Sequence, residues 1–161
     1  MILGRWYENY AGYRRRTRDA RRRRSGSVNP FLKIEAGVLC SAQVVSIVDD
    51  DEAVRLATAS LVRSLGRPTR LFASAEEFLQ SGYIAETSCL ISDVMMPGMS
   101  GVAMHDRILA LGFAPPTIFI TAFPTADLEA KALANGALAV LDKPVDADAL
   151  AHWLSVALDQ P

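Results

Sequence analysis

Cysteine is scarce in this chain of 161 residues, and its two copies lie far apart. Cys40 and Cys89 lack the short spacing of a metal-binding pair. Cys89 opens a predicted buried strand, where a thiol usually behaves as a small hydrophobic group. We therefore expect both thiols to be reduced, with no disulfide and no metal between them.

Long hydrophobic runs are also missing. No segment approaches the roughly 18 uncharged apolar residues that a membrane-spanning helix requires, and the N-terminus lacks the apolar core and small-residue cleavage site of a secretory signal. These absences predict a cytoplasmic protein with no membrane partner. Half of the residues are nevertheless apolar, which in a chain of this length is enough for the core of one globular domain.

Charge is distributed unevenly, although the formal net charge is only -1. Residues 1–42 contain nine arginines and one lysine against three acidic residues, a difference of +7. Residues 43–161 contain seven basic and fifteen acidic residues, a difference of -8. This change predicts a boundary between an Arg-rich, disordered extension over residues 1–42 and a folded domain over residues 43–160.

The Arg-rich extension has several alternative interpretations. It could be an arm that attracts nucleic acid, acidic lipid or the acidic body of its own chain. It could also be a solvated tail, or a stretch upstream of the true start codon, with Val38 or Leu39 as alternative initiators. Clustered arginines alone do not define a partner, which favours the tail or the upstream stretch.

From Gln43 onward, short apolar runs alternate with amphipathic stretches, which predicts strand–helix units around a parallel sheet. The predicted strands are residues 44–48, 69–72, 89–92, 117–120 and 137–141. The predicted helices are residues 52–65, 74–82, 102–111, 126–135 and 146–158. Ser74 and Glu77 form a capping box at the start of the second helix. The short connections between elements predict one compact domain.

Chemically active residues follow four of the predicted strands. Asp49 and Asp50 follow the first strand, Asp93 the third, Thr121 the fourth and Lys143 the fifth. In open parallel sheets, sites lie at the carboxyl ends of the strands. We therefore expect these residues to converge on one pocket.

Three of these residues are carboxylates. At about 5 Å and an effective dielectric constant near 20, each pair of like charges costs on the order of 3 kcal/mol, so the cluster requires a cation. Oxygen ligands that leave places for water and a phosphoryl oxygen suit Mg2+. A carboxylate, the divalent metal, the Thr121 hydroxyl and the Lys143 ammonium would together bind one tetrahedral dianion. Capping or turn formation would explain one such aspartate but not the whole set.

These motifs resemble the receiver domain of two-component response regulators, specifically the FixJ-like group. The matching segments are Ile-Val-Asp-Asp-Asp-Glu at 47–52, Ser-Ala-Glu-Glu-Phe-Leu at 74–79, Ser-Asp-Val-Met-Met-Pro-Gly-Met-Ser-Gly at 92–101, Ile-Thr-Ala at 120–122 and Leu-Asp-Lys-Pro at 141–144. The resemblance covers about residues 43–160. It implies an α/β, (βα)5 flavodoxin-like fold with three layers and a parallel five-stranded sheet of order 2-1-3-4-5.

The resemblance also implies a site. Asp93 would accept a phosphoryl group from a sensor histidine kinase, acting as an in-line nucleophile. The side chains of Asp50 and Asp93 and the backbone carbonyl of Met95 would bind Mg2+, with Asp49 behind them. Asp51, one place past the acidic pair, is expected to start the first helix, where the helix dipole favours a negative charge.

In this family the phosphoryl group also triggers an output. Lys143 would pair with one phosphoryl oxygen, and Thr121 would move to hydrogen-bond another. An aromatic residue of the fifth strand then swings inward and changes the face formed by the fourth helix, fifth strand and fifth helix. This chain has Val140 at that position, so the aromatic part of the mechanism does not carry over. A downstream protein is still expected on that face, and phosphorylation could produce a homodimer.

The leading hypothesis is a stand-alone receiver, or the receiver of a split regulator, that assists its own phosphorylation and dephosphorylation but is not an enzyme. Because the chain ends at Pro161, no fused DNA-binding domain is expected. One alternative is a nucleic-acid binder that uses the basic arm, with the receiver as a dimerisation platform. Another is an aspartyl-phosphate phosphatase, which Met95 disfavours because haloacid-dehalogenase-like enzymes need an aspartate there.

Side chains near these motifs are expected to have ordinary structural roles. We predict surface positions for His105 and His152, which lie on the third and fifth helices without the four-helix setting of a phosphotransfer histidine. Met95, Met96 and Met99 are predicted to pack beside the acceptor. Phe123 is expected either to shade the acceptor from water or to pack within its loop.

Overall fold

A computed structural model describes residues 42–159, in which helices cover both faces of a five-stranded parallel sheet. The predicted N-terminal extension, residues 1–42, lies outside the described residues except for its last position, and so does Cys40. No helix within residues 42–159 is long and apolar enough to cross a membrane.

The sheet has the predicted order. Its strands are β1 (Val44–Val48), β2 (Thr69–Phe72), β3 (Thr87–Asp93), β4 (Thr117–Thr121) and β5 (Ala139–Asp142). The helices are α1 (Glu52–Ser64), α2 (Ala75–Gln80), α3 (Gly101–Ala110), α4 (Ala126–Ala134) and α5 (Ala147–Leu158), and a short 3-10 helix spans Ile84–Glu86. The strands lie in the order β2-β1-β3-β4-β5, and all neighbours are parallel. This confirms the (βα)5 flavodoxin-like fold.

Several predicted boundaries were wrong by one or two residues. The third strand begins at Thr87 and includes Asp93, and the fourth includes Thr121. The fifth strand begins at Ala139 rather than 137, because the Ala137 N–H donates to the Ala132 carbonyl at the end of α4 (3.0 Å). The paired strands therefore carry Asp93 and Thr121 as their last residues.

Alternate residues of the central strands face opposite layers of the core. Val45, Ile47 and Ile118 pack with α1 and α5 in one apolar cluster. On the other face, Leu90 packs with α2 and α3, and Phe119 packs with α4. Since both faces are covered, the central strands are mostly apolar, as parallel strands usually are. The chemically active side chains lie at the strand ends.

A polar residue caps the N-terminus of each α-helix at the carboxyl edge of the sheet. The caps are Asp51, Ser74, Ser100, Thr125 and Asp146, and each side chain accepts a hydrogen bond from a backbone N–H of the first turn. Such a cap stabilises a helix by about 1 kcal/mol. In the predicted capping box, the Glu77 carboxylate accepts from the Ala73 N–H at 2.6 Å. These caps hold the loops that surround the strand ends.

Candidate functional site

The carboxyl ends of β1 and β3 bring Asp49, Asp50 and Asp93 together. One oxygen of each carboxylate lies within 4.8 Å of the others. The strands are neighbours, and Val48 pairs with Ser92, so the residues that follow them lie side by side. Asp49 and Asp93 are buried, whereas Asp50 is exposed. The cluster is therefore closed to solvent at Asp49 and Asp93 and open to solvent at Asp50, the side that we call the mouth of the pocket.

Lys143 connects the two buried carboxylates. Its Nζ lies 2.8 Å from Asp93 Oδ2 and 2.9 Å from Asp49 Oδ2. Burial lowers the pKa of Lys143, but hydrogen bonds and charge attraction to Asp93 and Asp49 together outweigh that effect and hold the pKa above its usual value. Burial raises the pKa of Asp49, and the bond from Lys143 only partly offsets this. One ammonium group lies among three carboxyl groups, so the pocket has too little positive charge to balance its carboxylates.

Backbone N–H groups orient the two buried carboxylates. Asp49 Oδ1 accepts from the Asp51 N–H at 2.9 Å, and Asp93 Oδ1 accepts from the Met95 N–H at 3.1 Å. The Asp51 side chain is engaged elsewhere, because it accepts from the N–H groups of Ala53 and Val54 at the start of α1. Asp51 thus caps the helix, as its position indicated, and leaves Asp50 to face the pocket.

Thr121 ends β4 next to the strand that carries Asp93. Asp93 pairs with Ile120, so the Thr121 hydroxyl belongs to the same edge of the sheet. This buried Oγ1 accepts from the Phe123 N–H at 3.2 Å. Its own proton has no acceptor within the described part of the chain. The site therefore holds an available hydroxyl donor.

Three further residues shape the site, and the motif analysis had assigned no role to them. A Cβ added at Gly101 would lie 2.0 Å from the Asp93 carbonyl oxygen, so only glycine fits there. Glu76 Oε1 accepts from the Met99 N–H at 3.0 Å and ties α2 to the loop after Asp93. Arg55 donates to the Asp49 carbonyl at 2.6 Å. Gly101 and Glu76 both lie in motifs quoted above, at 92–101 and 74–79, whereas Arg55 lies in none of them.

The predicted surface position of His105 was wrong. Its side chain is only 1% exposed, its ring lies edge-on to Phe119 at 5.6 Å, and Nδ1 has no hydrogen-bond partner among residues 42–159. Burial lowers its pKa to about 4. Gly101, Met104, His105 and Ile108 are the buried residues of α3, a spacing that places them on one helical face. That periodicity could have revealed the burial.

The other side-chain expectations had mixed outcomes. Met96 is buried and Met99 packs against the core, but Met95 is 66% exposed, so its predicted packing was wrong. Phe123 is 75% exposed, which contradicts packing within its loop. His152 lies on the surface, as predicted. Cys89 is a buried free thiol whose pKa burial raises to about 12.

Val140 occupies the position expected for an aromatic residue. It is half-buried and packs against a cluster that contains Phe119, Ala132 and Ala137. Its strand partner is Phe119, the ring that contacts His105. A small aliphatic side chain therefore joins β5 to α4.

Residues 45–155 match the family described as response regulator receiver domain. The chain belongs to this family. It is similar to the response regulator protein TodT of Pseudomonas putida, with 38% identity over 117 residues, 73% of this chain and 52% of the relative. It is also similar to the transcriptional regulatory protein FixJ of Azorhizobium caulinodans, with 35% identity over 102 residues, 63% of this chain and 48% of the relative. The chain spans about half the length of these curated relatives.

Solved receivers share the fold. A response regulator receiver protein from Burkholderia phymatum is 36% identical, with a TM-score of 0.63 over 73% of this chain and 96% of that one. The crystal structure of FixJ-N is 28% identical, with a TM-score of 0.65 over 73% and 94% of the two chains. The resemblance to response regulator receivers, FixJ among them, is confirmed.

Proposed function

We propose that this receiver accepts a phosphoryl group on Asp93 from a sensor histidine kinase and passes the signal on through protein contacts. The observation that carries the proposal is the contact of Lys143 with both Asp49 and Asp93 beside the exposed Asp50. If Lys143 only stabilised the fold through an ion pair, one carboxylate partner would be sufficient. Three carboxylates around one ammonium instead suit a site that binds a further cation and an anion.

The donor atoms at the mouth of the pocket fit Mg2+. Hard carboxylate oxygens from adjacent strand ends lie close together, and the exposed Asp50 leaves room for water and a phosphoryl oxygen. Asp50 and Asp93 would hold the ion through their side chains and Met95 through its carbonyl, with Asp49 behind them. When bound, Mg2+ would offset the negative charge of the carboxylates and of the incoming phosphoryl group.

Asp93 is the proposed nucleophile because its carboxylate is held by the Met95 N–H and the Lys143 ammonium and lies beside the exposed Asp50. One of its oxygens attacks phosphorus while the bond from phosphorus to the donor histidine nitrogen breaks, which leaves an acyl phosphate on Asp93. Lys143 then exchanges its contact with Asp93 Oδ2 for a phosphoryl oxygen. Thr121 donates its unengaged hydroxyl proton to another oxygen. In dephosphorylation, a water oxygen attacks the phosphorus, the bond from phosphorus to the Asp93 oxygen breaks, and inorganic phosphate leaves the regenerated carboxylate. The chain would therefore assist its own turnover without acting on another substrate.

Movement of Thr121 is the proposed start of the output. Thr121 is two residues from Phe119 on β4, and Phe119 packs with Val140 and the residues of α4. A downstream protein would contact the face formed by α4, β5 and α5, and phosphorylation could promote a homodimer there. Because Val140 has no aromatic ring, we expect the packing around Phe119 to transmit the movement of Thr121 to the face formed by α4, β5 and α5.

Intact-mass analysis after incubation with acetyl phosphate and Mg2+ tests the acceptor. The wild-type chain should gain one phosphoryl group, and Asp93→Asn should gain none. Asp142→Asn is the matched control, because it removes an exposed carboxylate from the same edge and should be phosphorylated normally. The proposal fails if the wild type gains no phosphoryl mass or if Asp93→Asn gains as much.

A further inference from the structure

The sheet does not support the three proposed Mg2+ ligands equally. Asp93 is the last residue of β3, and its backbone pairs with Ile120 of the neighbouring strand. Asp50 and Met95 lie in the loops that follow β1 and β3, beyond the last residues of those strands. Sheet pairing therefore fixes the backbone of one ligand, whereas the other two depend on contacts made by their loops.

A basic side chain holds the loop after β1. Arg55 lies near the start of α1, and its Nη1 donates to the Asp49 carbonyl at 2.6 Å. This carbonyl belongs to the planar peptide unit that joins Asp49 to Asp50, so the contact fixes the direction in which the backbone enters Asp50. A hydrogen bond from a charged donor is roughly twice as strong as one between neutral groups.

An acidic side chain holds the loop after β3. Glu76 lies in the first turn of α2, and its Oε1 accepts from the Met99 N–H at 3.0 Å. A Cβ added at Gly98 would lie only 2.9 Å from the same oxygen, so the backbone of this loop passes directly against the carboxylate. Residues 23 positions apart in the chain are thereby joined beside the pocket.

The loop after β3 is short and closed, so a contact at Met99 also constrains Met95. At its base, the Gly101 N–H donates to the Val94 carbonyl at 3.0 Å. Between these residues, the Met96 side chain is buried in the apolar cluster that includes α2 and α3. The loop is therefore fixed at its base, at Met96 and at the carboxylate of Glu76.

Neither charged side chain is paired with an opposite charge. Within residues 42–159, Arg55 and Glu76 form no salt bridge, although Asp50, Asp51 and Glu52 are close to Arg55 in the sequence. Each residue binds a backbone group instead. A backbone group has no net charge to neutralise, so these two contacts set geometry.

We propose that Arg55 and Glu76 are positioning residues of the Mg2+ site. Arg55 orients Asp50, and Glu76 orients the loop that presents the Met95 carbonyl. This inference rests on the proposed function, because it takes Asp50 and Met95 as ligands of the ion. Removing a residue that holds a metal ligand in place typically weakens metal binding by about 10- to 100-fold.

The opposite charges of the two residues distinguish positioning from electrostatic attraction. If both acted only through charge, loss of the Arg55 cation would strengthen Mg2+ binding and loss of the Glu76 anion would weaken it. If both act through position, loss of either contact weakens binding. Arg55 therefore provides the sharper test, because the two explanations predict effects of opposite sign.

Isothermal titration calorimetry of the full chain with MgCl2 tests the proposal, at a temperature at which circular dichroism shows every variant to be folded. Arg55→Met and Glu76→Ala should each weaken Mg2+ binding by about tenfold. Arg55→Lys keeps a charged donor and Glu76→Gln keeps an acceptor oxygen, so each should bind Mg2+ several-fold more tightly than the corresponding truncated variant.

Arg63→Met is the matched control for charge. Arg63 is an exposed cation on the same helix, and its Nη1 donates to the Thr69 hydroxyl at 3.4 Å, away from the pocket. Its replacement should leave Mg2+ affinity unchanged. An equal loss of affinity in Arg63→Met would overturn the role of Arg55, and so would unchanged or tighter binding in Arg55→Met.

A second readout separates these roles from a purely structural one. With acetyl phosphate as the donor, the half-maximal phosphorylation rate should require about tenfold more Mg2+ in Arg55→Met and Glu76→Ala than in the wild type. Lower melting temperatures with unchanged Mg2+ dependence would show that the contacts only stabilise the fold. Equal losses in Glu76→Gln and Glu76→Ala would assign the effect of Glu76 to its charge.

Failure of the positioning roles can be distinguished from failure of the proposed function. If the wild type binds Mg2+ and is phosphorylated, and both truncated variants match it at every Mg2+ concentration, only the positioning roles are overturned. If the wild type itself binds no Mg2+ and gains no phosphoryl group, the proposed function fails, and the inference fails with it.

Discussion

Adjacent aspartates have different roles at the end of β1. Asp49 is buried under Lys143, Asp50 faces the mouth, and Asp51 caps α1. Their roles follow from the backbone direction at each position, since consecutive residues leaving a strand point to different sides. The roles of adjacent aspartates can therefore be distinguished by substituting them one at a time.

The first prediction separates Asp50 from Asp51. Asp50→Asn should weaken Mg2+ binding by about tenfold or more, because it removes a charged ligand. Asp51→Asn removes the same charge one residue away but keeps a good helix cap, so Mg2+ affinity should change little. Isothermal titration calorimetry with MgCl2 measures both. Equal losses of affinity in the two variants would contradict the assignment of Asp50 as a direct ligand.

The second prediction concerns the buried His105. Its pKa is depressed from 6.5 to about 4, so protons bind preferentially to the unfolded chain. The stabilisation by neutral His105 is complete above pH 6.5 and is lost as the pH falls toward 4, up to about 3 kcal/mol. His105→Leu should lack this loss, and the variant should gain stability relative to the wild type on acidification.

Urea unfolding of both chains between pH 7 and pH 4.5 measures this difference. The carboxylates titrate in both chains, so their contribution cancels in the comparison. His152→Leu is the control, because His152 is exposed and its loss should leave the pH dependence unchanged. A constant difference between wild type and His105→Leu across this range would count against a neutral, buried imidazole.

At the scale of elements, the start of α3 is packed directly against the acceptor strand. The Gly101 N–H donates to the Val94 carbonyl at 3.0 Å, and Ser100 caps the helix. The contact leaves no volume for a side chain between α3 and Asp93. α3 therefore acts as the support that positions the nucleophile.

The third prediction follows from this contact. Gly101→Ala should destabilise the domain by about 2 kcal/mol or more, because the new Cβ must displace the Asp93 backbone. It should also slow phosphorylation of Asp93. Gly66→Ala is the control: its positive φ makes alanine unfavourable, but no atom lies within 4 Å of the added Cβ. Denaturation and mass analysis should show a stability loss in both variants, but slower phosphorylation only in Gly101→Ala.

At the scale of the whole molecule, the two-layered core stabilises a sheet edge that gathers repulsive charge. Three carboxylates and one ammonium group meet at the edge that contains the pocket. The native state concentrates these charges, whereas the unfolded chain separates them. A cation that binds only the folded pocket should therefore stabilise the whole domain.

The fourth prediction is a dependence of thermal stability on Mg2+. The melting temperature should rise with Mg2+ concentration and return to its starting value when EDTA removes the ion. The free energy of unfolding should increase by about 2.7 kcal/mol when the ion concentration is 100 times its Kd. In Asp50→Asn the same concentrations should give a smaller rise. An equal rise in this variant would indicate that Mg2+ only screens the carboxylates of this edge.

Much of the fold and site could be predicted because parallel sheets obey simple geometry. Apolar runs predicted the strands, and the common direction of parallel strands predicted that Asp49, Asp93, Thr121 and Lys143 lie at one edge. Boundaries were less predictable. The Ala137 N–H, for example, has two competing acceptors, a helix carbonyl and a neighbouring strand, and local sequence does not show which one is nearer.

The order of the elements and the residues that meet at the strand ends could be inferred from the residues alone, because both depend on periodicity and chain direction, and the quoted motifs indicated the family. The surroundings of individual side chains became known from the folded structure. It buried His105 against Phe119, exposed Met95 and Phe123, and set Lys143 between two carboxylates. Burial and charge density depend on residues far apart in the chain, and folding alone brings those residues within contact distance.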